Sequence, residues 1–303
     1  MARHTRAVRK SVLQTNPVAP VLLRLRRSKG AVSPAISTVV LTGAIVTMLV
    51  ATIPFARNFL DARTAEYEFN AMKESMQTVA LQLDDVAWTI GRTQTIHYTS
   101  KFGWASFRSL ALNYTVYVDK GLGYSYLANY STGILMFNMA TSRLSLGNNY
   151  FERLFPLDNL FLLDGVSAPI SHVYAIEKLP MNDGSFVRVV VAPSIRTLNS
   201  TITTDPTDAP GNYYKFYLPI LVSGNSSGPS QSVKLVGSMI SLKMEQAVRK
   251  VKVQIFFPQN SAGFDQAFFN FASLEQEVDV TDGSDGSIIE FYTMSIAVSL
   301  GAD

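Results

Sequence analysis

At 303 residues and 33.3 kDa, with 47% hydrophobic residues, the chain is long enough for one large domain or two ordinary ones. It has no cysteine, which excludes disulfide frameworks, thiol nucleophiles and cysteine-based zinc sites. The net charge of +3 hides an asymmetry: residues 1–30 carry eight Lys or Arg and no acid, leaving 18 basic and 23 acidic residues in the remainder, which would repel phosphate and argues against a nucleic-acid partner.

The basic leader, residues 1–30, is followed by an uncharged stretch from Ala31 to Ala56. Its centre, Val39–Ile53, consists of Val, Leu, Ile, Ala, Thr and Met with one Gly. At about 1.5 Å per residue, roughly 22–25 residues of helix cross a hydrocarbon layer of about 30 Å, so residues 31–56 read as a transmembrane helix. Arg24, Arg26, Arg27 and Lys29 abut its amino side, while its carboxyl side mixes Arg57, Asp61, Arg63, Glu66 and Glu68. The bias of basic residues towards the cytoplasm places the amino terminus inside and everything after Phe55 outside. A cleaved secretory signal fits less well, because Ala51–Pro54 offers no small-x-small cleavage site and the helical pattern continues.

Beyond the apolar stretch, Phe69, Met72, Met76, Val79, Leu83, Val86 and Ile90 recur with alternating gaps of three and four, and Ala62 and Ala65 extend the series backwards. This 3.5-residue seam predicts an amphipathic helical continuation over residues 57–91, with Gly91 just past its end. Two readings remain open: the stripe packs on its own domain, or part of it packs on other copies of the chain. Pro54, at the junction, removes one helical hydrogen bond and predicts a kink. A helix from Ser33 to Ile90 would be roughly 85 Å long.

The run Arg26-Arg27-Ser28-Lys29-Gly30-Ala31-Val32-Ser33-Pro34 resembles the processing site of archaeal type IV pilin-like precursors, the class III signal peptide. The resemblance covers about 60 residues, from Arg24 through the long helix: a basic cluster, a glycine, an apolar helix and an amphipathic continuation. It implies that a prepilin peptidase cuts between Gly30 and Ala31, with Arg26, Arg27 and Lys29 as the basic leader residues, and that the helices of many copies bundle into a filament. Ala35 stands where bacterial pilins carry Glu, a departure that archaeal members share, and the leader is long for the group. The physical logic agrees with the implication. An apolar rod leaves the bilayer only if its surface is buried elsewhere; Val39, Val40, Leu41, Ile45, Val46, Leu49 and Val50 would be buried, with Gly43 and Ala44 permitting close approach. Eight leader charges would oppose entry into such a core.

From residue 92 to 303 the periodicity changes from 3.5 to 2. Leu110, Leu112, Tyr114, Val116 and Val118 alternate, as do Val251, Val253, Ile255 and Phe257, and Tyr292, Met294, Ile296, Val298 and Leu300. Phe186–Val191 and Tyr213–Val222 read as further strands; Asp205–Asn212, Ser223–Ser230 and Thr281–Ser287 read as turns, and Tyr150–Leu163 and Phe264–Glu277 as short helical interruptions. The expected class is therefore α+β: one long amino-terminal helix, then a mostly antiparallel β-rich domain. Of four Asn-x-Ser/Thr sequons, Asn199 and Asn225 lie in loop-like contexts and are the candidate N-glycosylation acceptors, whereas Asn113 sits inside an expected strand.

Catalytic constellations are missing from the pattern. His4, His97 and His172 have no metal-ligand spacing to one another; Asp279, Asp282 and Asp285 miss the register of a calcium loop; Lys120-Gly-Leu-Gly is a turn signal; and Asp84 and Asp85, being adjacent, point to different helix faces. The sequence thus reads as a non-enzymatic structural subunit of an archaeal type IV pilus-like surface filament, with no cofactor, partnered by the membrane, a prepilin peptidase and copies of itself. The alternative is a singly anchored minor pilin-like adhesin or surface binding protein that does not polymerise.

Overall fold

A computed structural model describes residues 34–144, 146–147, 149–179, 181–202, 211–226, 231–281 and 286–301. The chain divides into two units, Met1–Asn58 and Phe59–Asp303. A single helix, α1 (Pro34–Val86), accounts for the described part of the first unit and begins the second. Pro54 lies inside it, and the helix is continuous through that position.

The strands follow in chain order: β1 (Thr93–His97), β2 (Gly103–Asp119), β3 (Tyr124–Ala140), β4 (Phe151–Phe155), β5 (Leu162–Asp164), β6 (Ser171–Glu177) and β7 (Phe186–Pro193). After these come β8 (Ile195–Ile202), β9 (Gly211–Ser226), β10 (Ser232–Val248), β11 (Lys250–Phe256), the one-turn helix α2 (Gln266–Phe269), β12 (Glu275–Asp279) and β13 (Ser287–Leu300). They form a six-stranded sheet in the order β1-β10-β13-β9-β8-β5 and a seven-stranded sheet in the order β12-β11-β2-β3-β7-β6-β4. The fold is α+β, as expected. Pairing is antiparallel except between β13 and β9 and between β5 and β8, which run parallel.

The expected strands form where the alternation places them, and the Lys120-Gly-Leu-Gly run is the β2–β3 hairpin turn. There the Asp119 carboxylate accepts from the backbone N–H groups of Gly121 at 2.7 Å and Gly123 at 3.0 Å. The turn expected to open at Ser223 does not begin there, since β9 runs through Ser226, and the two expected helical interruptions are corrected as well. Tyr150–Leu163 holds no helix; Phe151–Phe155 is a strand because it finds β6 as an antiparallel partner. Phe264–Glu277 keeps only α2, capped by Asp265 accepting from Phe268 N–H, before the chain extends into β12.

Two hydrophobic clusters hold the second unit together. One combines Leu112, Tyr114, Ile134, Met136, Phe216 and Phe291 with the aromatic group Phe264, Phe268, Phe269 and Phe271. The other combines the helix with Leu135, Phe137, Met139, Val187, Val189 and Val191 of the larger sheet and Leu235, Met294, Ile296 and Val298 of the smaller. Successive residues of β3 and β7 thus enter opposite clusters. That is why Ile134–Phe137 and Val189–Ala192 read as unbroken apolar runs: both faces are covered.

Candidate functional site

The apolar and heptad portions of α1 share one helix but have opposite environments. From Ala35 to Leu60 every residue is exposed, including Val39, Val40, Leu41, Met48, Leu49, Val50 and Phe55. This stretch is long and apolar enough to cross a membrane. Its four threonines bond to their own helix backbone. Thr38 donates its hydroxyl to Ala35 O, Thr42 to Thr38 O, Thr47 to Gly43 O and Thr52 to Leu49 O, at 2.7–3.2 Å. Threonines satisfied by their own helix backbone are compatible with an apolar medium.

The environment reverses at Ala65, which is fully buried, and the stripe continues as Phe69, Met72, Met76, Val79, Leu83 and Val86, all buried against strands of both sheets. From Ala65 to Val86 the seam is therefore filled by its own domain. Ile90 is corrected: it is 65% exposed, because the helix stops at Val86 and the chain turns towards β1. The stop is built by Gly237. Gly91 N–H donates to Gly237 O at 2.8 Å, and Gly237 N–H donates to Arg92 O at 3.0 Å. A side chain on Gly237 would put its Cβ 2.9 Å from the carbonyl oxygens of Val86 and Thr89, so only glycine lets β10 approach the helix end so closely. Gly91, at φ +79°, closes this turn and does not directly cap the helix.

Polar clamps flank the buried stripe. The Glu68 carboxylate accepts from Ser100 Oγ and Lys101 N–H at 2.9 Å and from Phe102 N–H at 3.1 Å. Lys73 reaches the Tyr150 hydroxyl and Glu152, which holds the Glu152 carboxyl below its usual range despite the opposing effect of partial burial. Gln77 donates to Leu154 O, and the Arg196 guanidinium spans both oxygens of Asp84 at 3.0 and 3.1 Å. Asp85 pairs instead with Arg92 and Gln94, so the adjacent aspartates do face different neighbours.

The remaining sequence candidates are dispersed. Gly30, Ala31, Arg26, Arg27 and Lys29 lie outside the described residues. Asn199 and Asn225 are exposed, but they sit in strands and not in the loops expected for them. Asn199 is drawn into β8 by pairing with Tyr214 of β9, and the parallel partner β13 carries β9 on through Ser226. Asp282 and Asp285 also lie outside the described residues. No group of three or more His, Asp or Glu among the described residues could hold a metal ion.

His172 is buried in β6, its ring edge-on to Phe271 at 5.7 Å. Burial lowers its pKa to about 4, outweighing the opposing pull of the Leu160 backbone and Asp158. The unfolded chain, at about 6.5, then binds the proton more tightly than the folded one, so stability falls as pH drops from about 6.5 towards 4. The expected loss from this residue is roughly 3 kcal/mol over that window. Urea unfolding at pH 7 and 4.5 should show it, and His172→Phe, which keeps a ring beside Phe271, should remove that part of the pH dependence.

No protein-family model, curated protein or solved structure matches this chain.

Proposed function

We propose that this chain is the structural subunit of an archaeal type IV pilus-like surface filament, first held in the membrane by residues 31–56 and released after cleavage between Gly30 and Ala31. The β-rich domain faces outward and the apolar rod packs against rods of other copies in the filament core. The observation that carries this reading is the division of α1 at Ala65. The domain takes up the heptad stripe from Ala65 to Val86, yet Ala35–Leu60 buries nothing, so its apolar surface must be covered by lipid or by identical neighbours.

A second reading, a singly anchored adhesin that never polymerises, gains support from the same division. Because the seam from Phe69 to Val86 is already filled, only the stretch ending near Leu60 is left for rod-to-rod packing. Electron microscopy of sheared surface material, with mass spectrometry of the subunit's amino terminus, separates the two. Filaments of chains beginning at Ala31 are the expected result; uncut chains confined to the membrane fraction would overturn the first reading. Gly30→Val should block processing and leave a precursor about 30 residues longer on a gel, as expected from a side chain placed at the glycine of the cut.

A further inference from the structure

β10 is 17 residues long, yet one of its edges is only partly used. β13 pairs along nearly the whole strand, whereas β1 covers only Ser232–Val236 on the other side. From Ser238 to Ala247 that outer edge has no neighbouring strand among the described residues. The faces are open as well. Ser241, Leu242, Lys243 and Met244 are exposed in succession, and Met239, Leu242 and Met244 are 61%, 46% and 48% exposed. A ten-residue edge with unpaired backbone groups and exposed apolar side chains is a template for another strand.

The order of charges says which strand. A lysine in an edge strand ordinarily discourages pairing. Here Glu245 follows Lys243 two residues on, so both project from the same face; Lys243 Nζ donates to Leu127 O at 3.3 Å and Lys120 donates to Glu245 at 2.8 Å. An antiparallel copy of the same edge centred on Met244 sets each Lys243 opposite the second copy's Glu245. Centring on Lys243 or on Glu245 sets like charges opposite each other, which is destabilising. The centred register also places Met244 against Met244 and Leu242 against Gln246. The bulge between Glu245 and Val248, where Ala247 takes φ +58°, falls at the end of that register.

We infer that the Ser241–Ala247 part of this β10 edge is a self-association surface, pairing antiparallel with the same segment of a second copy in the register centred on Met244. This contact is two-fold and separate from the rod packing proposed above, and it stands whether or not the chain polymerises through its helix.

The absence of cysteine makes the test clean. Full-length chain carrying Met244→Cys, in detergent micelles, should form a disulfide-linked dimer on mild oxidation, because residues facing each other across the pair lie about 4.5–5.5 Å apart, within disulfide reach. Gln246→Cys should link at least about tenfold less, since its two copies would be about 13 Å apart. Adding Lys243→Glu to Met244→Cys should abolish the link, and Lys243→Glu with Glu245→Lys should restore it. Equal linking at the two positions, linking at neither, or indifference to charge reversal would overturn the inference. Restoration by the double reversal rules out a simple folding defect.

Discussion

Replacing Leu83 with Ala is expected to destabilise the folded domain by about 2–5 kcal/mol, whereas Leu49→Ala in the same helix leaves it within about 0.5 kcal/mol of wild type. Leu83 is fully buried among strands of both sheets, and truncation leaves a cavity that the two sheets, tied by their ladders, close only in part. Leu49 is more than half exposed and has no cavity to leave. For a unit of this size the Leu83 loss lowers Tm by roughly 5–15 °C, read by near-ultraviolet circular dichroism of the full chain in detergent. If rods pack as proposed, the ranking should invert in an assay of self-association, with Leu49→Ala the more damaging change. Equal thermal effects of the two substitutions would mean that the seam does not carry the domain's stability.

The second large effect is expected at a buried charge. Arg188 in β7 is fully buried; one guanidinium nitrogen donates to Asp183 Oδ1 at 2.6 Å and the other to Phe186 O at 3.2 Å, with the Phe186 ring 5.4 Å away. Burial lowers its pKa, an effect that the Asp183 carboxylate opposes. Asp183→Ala would leave the guanidinium in the core without a counter-charge and should cost about 3–5 kcal/mol. Arg188→Met removes the charge while keeping an unbranched chain of similar reach; it should be neutral or stabilising by about 1 kcal/mol or more. In the Arg188→Met background, Asp183→Ala should cost less than about 1 kcal/mol, a coupling that a double-mutant cycle by urea unfolding measures directly. Additive effects of the two changes would show that Asp183 acts through something other than Arg188.

These two sites also mark what a reader of the sequence could and could not see. The seam was legible because its gaps alternate strictly between three and four, and such regularity has few causes other than one buried helix face. Its end was not legible. Ile90 continues the spacing, but the helix is stopped by a contact with Gly237, nearly 150 residues away, which no local pattern encodes. The strands with one solvated face were readable from alternation. Ser223–Ser226 was not, since its turn-forming composition is overruled by a parallel partner, β13. Arg188 shows the same limit in reverse: in Phe-Val-Arg-Val-Val-Val a lone arginine reads as the solvated side of an alternating strand, and only the covering of both faces puts it in the core. Of the candidate site, the apolar rod was readable by composition alone, whereas the division at Ala65 depends on where the sheets end.

The polar clamps along the docked part of α1 have a mechanical consequence. Glu68, Lys73, Gln77 and Asp84 are spaced over more than four turns of the helix; Glu68 is fastened to the loop before β2, Lys73 and Gln77 to β4, and Asp84 to β8. Tension entering this segment from its amino end is directed along the helix axis, so it loads all four attachments and the apolar stripe together in shear. They cannot be opened one after another, as a hairpin unzips from its tip. A pull on the tether is thereby shared across the domain, and the grip fails only when the helix slides as a whole.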